Sequence, residues 1–305
     1  MNSPDSNSSD SNNSAPSNSI SGNSAANDFD PATVAIRSAA TVMLIDDRPD
    51  LQVLMMERHA ATIFAGGMWV FPGGSVDAED NSEAIHAIVK DRTDHGASQL
   101  LNIEKGGLAY YIAAIRESFE EAGILLARHE NEGHALSFTD QQRAARFEKY
   151  RDQVNDGSED FIDIVRREDL LLDTADMHYI ARWITPEGPP RRFDARFFIA
   201  RIPKGQIPLH DNRETVHSEW MSPTDILQNF DDKKMNIMSP TLAMVRALSK
   251  FSSTEQVIES ARANQSDQRV RVIPDTGEIV LPADKGYELA EETIESGWIR
   301  LRPLT

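Results

Sequence analysis

The chain has 305 residues, of which 40% are apolar, enough to bury a core in one large domain or two small ones. Its formal charge of -18 repels a phosphate backbone, which argues against nucleic acid as a partner; an anionic small molecule would be repelled as well unless a metal cation or a few local arginines reverse the sign at its site. With no cysteine, disulfides, thiolate metal sites and a cysteine nucleophile are excluded together.

Residues 1–30 contain seventeen Ser or Asn and four acids (Asp5, Asp10, Asp28, Asp30) with no Lys or Arg, leaving -14 on the remainder. A tract so poor in apolar groups cannot offset its ordering entropy and is expected to be disordered. It lacks the basic stretch followed by an apolar one that marks a secretory leader. No apolar run approaches the roughly 18 to 20 residues of a membrane span. A soluble, cytoplasmic protein with no membrane partner is therefore expected.

From Ala35 the pattern becomes β-rich. Ser38–Ile45 and Leu51–Glu57 flank Asp46, Asp47, Arg48, Pro49 and Asp50, which reads as a hairpin with a Pro/Asp turn. Met68–Phe71 reads as a short strand running into Pro72, Gly73 and Gly74, where a tight turn or loop is expected. Leu108–Leu126 is helical over most of its length, with Ala109, Ile112, Ala113, Ile115 and Phe119 forming an apolar stripe and Gly123 standing where such a helix stops. Beyond it, Phe193–Ile202 predicts a strand, Glu219–Met221 a shorter one, and Pro223–Phe230, Ser239–Phe251 and Thr254–Ala263 helices. Arg269–Leu281 reads as two β runs around Pro274, Asp275, Thr276 and Gly277, a closing hairpin.

The chemistry lies in the string RESFEEAGI, Arg116 to Ile124, inside the amphipathic helix. Residues three and four apart share a helix face, so Glu117, Glu120 and Glu121 present their carboxylates together, away from the apolar stripe. Three like charges this close repel one another unless a cation lies among them. Oxygen-only ligands suit a hard ion such as Mg²⁺ or Mn²⁺, which also takes phosphate oxygens as ligands. Arg116, four residues before Glu120, could orient that acid. The plain alternative is a solvated helix face with ordinary Arg/Glu pairs.

The surrounding letters favour the site. RESFEEAGI resembles the second half of the Nudix box, R-E-U-x-E-E-x-G-U with U a bulky apolar residue, and FPGG, about forty residues earlier, resembles the glycine turn that opens that box. Two departures stand out. Gly74 is followed after five residues by Asp80 in place of Glu, and Ser118 replaces the apolar U. The spacing differs too: 35 residues separate Asp80 from Arg116 where the box has seven, an insertion of 28 within Asn81–Leu108. Asp80 can keep the role of its glutamate counterpart only if the insertion leaves its two ends close together. The split box, MWVFPGG, AAIRESFEEAGILL and WITPEGPPRRFDARFFIA together resemble the coenzyme A diphosphatases, a Nudix subgroup best known from peroxisomes, over about Ser38–Leu248. The chain ends Pro303, Leu304, Thr305, so import through a Ser-Lys-Leu address is not expected.

What the resemblance implies is an α+β Nudix fold, a mixed β-sheet sandwiched between helices, with helical insertions at about 81–108 and 139–179 in a domain spanning 31–263, and a β-hairpin extension at 264–305. It implies a metal-dependent hydrolase that cuts coenzyme A or an acyl derivative at its diphosphate into phosphopantetheine and adenosine 3′,5′-bisphosphate. Glu117, Glu120 and Glu121 would be the metal ligands, assisted by Arg116, with Glu117 or a loop acid, Glu214 or Glu219, as the base. Arg58, Gly73, Gly74, Arg191 and Arg192 are the candidates for holding substrate, the arginines through fork-like donors to phosphate. Trp69, Phe71 and Trp183 read as core; His178, His210 and His217 lack ligand-like spacing. Two other readings stay open: the same chemistry on ADP-ribose, a dinucleotide or a nucleotide sugar, and a Nudix-fold sensor that binds a nucleotide without cleaving it. A homodimer is compatible with either.

Overall fold

Strand β1 (Ile36–Asp47) and strand β2 (Leu51–Arg58) form the expected antiparallel hairpin, with Ile45 opposite Val53. Strand β3 (Trp69–Val70) pairs with β2, and after Pro72 the chain runs as β4 (Gly73–Ser75), antiparallel to β1. The glycines expected in a loop are thus strand residues. They can be so because a residue without a Cβ lies flat against its neighbour: a Cβ on Gly73 would fall 2.5 Å from the Ala40 carbonyl oxygen. In this computed structural model the described residues are 33–62, 65–130, 134–209, 211, 213–273, 276, 278–282, 284–290 and 296–304. The Ser/Asn tract, His210 and, apart from Thr276, the turn at 274–277 lie outside them.

The insertion folds into α1 (Glu83–His86) and α2 (Asp94–Leu101), ahead of the amphipathic helix α3 (Gly107–Ala122). Strands β5 (Ala127–His129) and β6 (Leu170–Leu172) pair with each other and bracket α4 (Gln141–Asp156) and α5 (Phe161–Arg167), the second helical insertion. There follow β7 (His178–Ile184), β8 (Arg192–Arg201), β9 (Thr215–Met221), α6 (Pro223–Asp231), α7 (Ser239–Leu248) and α8 (Thr254–Arg262). The chain closes with β10 (Gln268–Arg269), β11 (Arg271–Ile273), β12 (Glu278–Val280) and β13 (Ser296–Ile299).

The main sheet has nine strands in the order β10-β13-β7-β8-β1-β2-β3, with β4 also on β1 and β9 on β2; it is mixed, because β1 and β8 run parallel while the other pairs run antiparallel. Its central strands are buried on both faces, which is why they read as nearly continuous apolar runs. Side chains alternate between two cores. Val42, Leu44, Leu54, Met56, Phe198 and Ala200 pack under α3 and the inserted helices, while Met43, Ile45, Val53, Met55, Phe197 and Ile199 pack against residues of α6, α7 and α8. This is the expected sheet between helical layers. The expected C-terminal hairpin is β11-β12, and in addition β13 joins β7 and extends the main sheet. Phe71 and Trp183 lie in the core, and Trp69 is half-buried with an edge-on contact to His217. No helix among the described residues is long and apolar enough to cross a membrane.

Candidate active site

Both ends of α3 are held by chain that a contiguous box would not contain. At its start, the Asp94 carboxylate of α2 accepts the backbone N–H groups of Gly106 and Leu108 at 3.0 Å each, and Ser98 Oγ accepts that of Gly107 at 2.9 Å. These satisfy donors that a helix N-terminus leaves without partners. At its end, Gly123 adopts the left-handed conformation (φ 69°) and the last carbonyls receive side-chain donors from α4. Arg151, itself buried, donates to the Glu120 carbonyl at 2.8 Å and the Glu121 carbonyl at 2.6 Å, and Asn155 adds a bond to Glu120 at 3.2 Å. Ser118 is wholly buried and its hydroxyl donates to the Ile124 carbonyl at 2.9 Å, so this polar departure from the box is satisfied within the turn that ends the helix.

The insertion does leave its ends together. Arg116 forks onto Asp80, Nε to Oδ1 and Nη2 to Oδ2 at 3.0 Å each, across 35 intervening residues. Asp80 is 1% exposed. The same guanidinium donates to the Ser75 carbonyl at 2.9 Å, to Glu117 Oε1 at 2.9 Å and to Glu120 Oε1 at 3.3 Å, and meets Asp77 at 3.2 Å. Burial opposes its charge, yet Asp80 and Glu117 hold Arg116 protonated, its pKa raised above the ordinary value. This one side chain therefore ties the loop after β4 to the acidic face of α3.

Glycine brings the two halves into contact. Gly73 N–H donates to Glu121 Oε2 at 2.9 Å, and a Cβ on Gly74 would stand 2.5 Å from the Glu117 carboxylate carbon, so only glycine leaves room for that acid. Burial pushes the Glu117 carboxyl up to about 7, with Arg116 opposing, and lifts Glu120 in the same way. Glu121 is raised well above the carboxylate range, first by burial and then by the Glu117 charge, while Arg58 pulls the other way. Three crowded, desolvated carboxylates without enough positive charge are the electrostatic signature of a cation site.

Arg58 stands at the edge of this cluster, 3.5 Å from Glu121 Oε1 and 2.9 Å from Glu214 Oε2. Glu214, a loop acid, is thereby brought to the site, whereas Glu219 pairs with His217 Nε2 at 3.3 Å. Among the described residues, neither Arg191 nor Arg192 contacts these acids. Arg192 opens β8 opposite Ile36, upstream of the Ala39–Thr41 stretch that pairs with β4, and its Nε donates to the Thr185 carbonyl at 3.1 Å. Arg191 is exposed beside it. Sequence reasoning missed Asp77, Arg151 and Asn155, whose partners are distant in the chain and leave no local pattern.

The donor chemistry fits a hard divalent ion: carboxylates only, buried, raised in pKa and facing one another. Among the described residues, no three of them yet converge on one point; each is engaged by Arg116, Arg58 or Gly73, so ligation requires at least one to leave its present partner. Nudix hydrolases generally use divalent metal ions.

Comparison with known proteins agrees with this geometry. Residues 100–248 match the family model described as the NUDT19 Nudix domain. The chain is 26% identical over 237 residues to the acyl-coenzyme A diphosphatase NUDT19 of Xenopus laevis, covering 68% of this chain and 62% of that one. It is also 26% identical over 234 residues to the human protein of the same name, covering 66% and 61%. It thus spans about three fifths of the length of these relatives. The crystal structure of a Nudix hydrolase from Alicyclobacillus acidocaldarius superposes with a TM-score of 0.58 at 24% identity, over 74% of this chain and 97% of that one, and shows the same fold. A Nudix fold, a box reassembled across its insertion and these matches make the chain similar to the Nudix hydrolases and, among them, to the acyl-coenzyme A diphosphatases.

Proposed function

We propose that the protein is a divalent-metal-dependent diphosphatase acting on coenzyme A or an acyl-coenzyme A. The observation that carries this reading is the Asp80–Arg116 fork, which rebuilds the divided box around Glu117, Glu120 and Glu121. The name of the relatives supports the substrate, since the box itself addresses a diphosphate and not what flanks it. In this reading the domain at 31–263 carries the chemistry.

Diphosphate hydrolysis asks the protein for charge neutralisation, alignment of a water with phosphorus and a proton acceptor. Glu117, Glu120 and Glu121 would hold Mg²⁺ or Mn²⁺, which supplies positive charge toward the phosphates and a more acidic water. Arg116 keeps Glu117 and Glu120 in register from the loop side, while Arg58 and Gly73 hold Glu121. Arg58 is the cation assigned to meet a phosphate oxygen, since among the described residues its buried Nε has no partner and its head lies against Glu121. Glu214, bound to the same arginine, is placed to accept a proton, with Glu117 as the other candidate base. Gly73 and Gly74 leave the approach to the acids free of side chains. Arg191 and Arg192, apart from this cluster, are assigned to the more distant 3′-phosphate of a long substrate.

The test is product release from a panel of coenzyme A, an acyl-coenzyme A, ADP-ribose and nucleotide sugars, with and without Mg²⁺ or Mn²⁺. Phosphopantetheine and adenosine 3′,5′-bisphosphate should appear from coenzyme A only with metal. Equal rates on ADP-ribose and coenzyme A would reject the substrate assignment while leaving the metal site in place.

A further inference from the structure

A cavity of about 190 Å³ opens between the inserted helices, α3, the start of β7 and the end of α8, lined among others by Arg92, Tyr111, His178, Arg262 and Asn264. None of the acids lines it. Tyr111 faces the sheet, its ring 4.4 Å from that of Phe198, and stands six residues before Glu117, roughly 9 Å along the helix axis.

This cavity has polar groups without partners in its walls. Tyr111 is wholly buried, yet among the described residues its hydroxyl finds no hydrogen-bond partner, and neither do the buried Arg92 Nε and His178 Nε2. Such groups normally find partners, because a buried one left alone costs about 1–3 kcal/mol. Their geometry is fixed. The Arg92 guanidinium lies 4.4 Å over the Tyr111 ring while its Nη2 donates to the Thr174 carbonyl at 3.2 Å and the Met177 carbonyl at 3.5 Å, which leaves Nε free. Asn264 Oδ1 accepts from Arg300 Nη1 at 2.7 Å, so the amide nitrogen is its free end.

What remains free is dominated by donors: a phenol O–H, a guanidinium N–H and an amide NH₂. Burial pushes the Tyr111 hydroxyl up to about 12 against the pull of Arg92 and Arg300, so it stays protonated and donates; burial pulls His178 down to about 4, so that ring is neutral. Charge agrees with the donor count. Arg92 and Arg262 line the cavity and Arg300 stands behind Asn264, against Asp176, 3.3 Å from Arg262, and Asp267, forked by Arg300 at 2.8 and 3.0 Å. That leaves one net positive charge on a chain of -18.

We propose that this cavity binds a small oxyanion of the phosphate-monoester class, held by Tyr111, Arg92 and Asn264 at a site separate from the carboxylate cluster. A phosphate monoester offers three terminal oxygens to the donors of these lining residues, and the volume admits the phosphate with a short attached group. The inference does not depend on the diphosphatase reading. It does give the two additions to the fold a shared ligand, because Arg92 comes from the insertion in the box and Asn264 from the C-terminal segment.

The experiment is calorimetric titration of the full chain in phosphate-free buffer with EDTA, using inorganic phosphate, phosphopantetheine and succinate as probes. EDTA removes metal-dependent binding at the acids, and Arg58→Ala controls for residual binding there. Expected are saturable binding of one or both phosphate probes, retained in Arg58→Ala, and a loss of affinity of at least tenfold in Tyr111→Phe and in Arg92→Met. Tighter phosphopantetheine than phosphate would identify an organic monoester as the ligand, and the reverse would identify the free ion. Tyr111→Phe removes a group that lacks a partner, so without ligand its melting temperature should equal or exceed that of the unchanged protein. The proposal is overturned if neither phosphate probe saturates, if Tyr111→Phe binds as tightly as the unchanged chain, or if succinate binds as well as phosphate.

Discussion

Glu121 sits where burial, a neighbouring carboxylate and a single arginine compete for its charge. Without a cation its ionised form is disfavoured, so Glu121→Gln should cost nothing in the metal-free fold and a great deal in turnover. A loss of roughly 100- to 10,000-fold in kcat, about 3–5 kcal/mol, is expected with melting in EDTA unchanged or improved. Turnover that survives the substitution would remove Glu121 from the site. His178 gives a prediction in pH. Its imidazole takes a proton near 6.5 in the unfolded chain but resists until about 4 when folded. The stability it permits is complete above 6.5 and lost as pH falls toward 4. Chemical denaturation of His178→Gln across that window should show a shallower decline than the unchanged protein. The acids at 117, 120 and 121 are legible from helical spacing alone. Asp80 and Ser118 are not, since each has its meaning in a partner that the letters do not place: the Arg116 fork in one case, the Ile124 carbonyl in the other.

At the scale of elements, α3 carries the acids but does not position itself. The α2 acid Asp94 fixes its entry and the α4 arginine Arg151 fixes its exit. Arg151→Met should leave the Glu121 carbonyl without its side-chain donor and the Glu120 carbonyl with Asn155 alone, at a cost of about 1–3 kcal/mol in stability. Because those carbonyls belong to Glu120 and Glu121, metal affinity should weaken as well, measured as a higher Mg²⁺ concentration for half-maximal rate. A variant that melts earlier with unchanged metal dependence would limit Arg151 to holding the fold. The hairpin β1-β2 and the strand β8 are readable because their periodicity is strong. Residues Gly297, Trp298 and Ile299 of β13 give no such signal: a strand of four residues is shorter than any pattern window, and its place beside β7 is set by tertiary contact. The glycine pair was expected to turn and instead pairs with β1, because Ala40 and Thr41 offer it a flat neighbour.

At the scale of the molecule, the sheet is covered on both faces, and the acids occupy the end of a helix on one of them. Crowded like charges work against this arrangement, so a ligand that binds only the folded chain should stabilise it. A divalent ion at a hundred times its dissociation constant adds about 2.7 kcal/mol, which for a chain of this size corresponds to a rise of about 2–5 °C in Tm. Mg²⁺ should produce that rise in the unchanged protein and little of it in Glu121→Gln, as followed by thermal melting. The layered class is legible because buried strands read as apolar runs and covering helices as stripes. Which helices cover which face depends on connections that periodicity does not encode.

The excursion between Asp80 and α3 leaves from and returns to the same corner, with the exposed pair Lys90 and Asp91 near its middle. A single peptide bond cut there would divide the polypeptide into a piece holding β1 to β4 and a piece holding everything from α2 onward. The interface between the pieces would be the ten-residue register of β1 on β8, the pairing of β2 with β9, the Asp80–Arg116 fork and the cores on either side. Fragment complementation is the consequence: limited trypsin cleavage at Lys90 should yield two bands on a denaturing gel but one species by native size exclusion, with hydrolysis retained. Separately expressed halves should likewise restore one another's activity on mixing, and halves that stay apart would show that covalent continuity, not the shared sheet, keeps the divided box assembled.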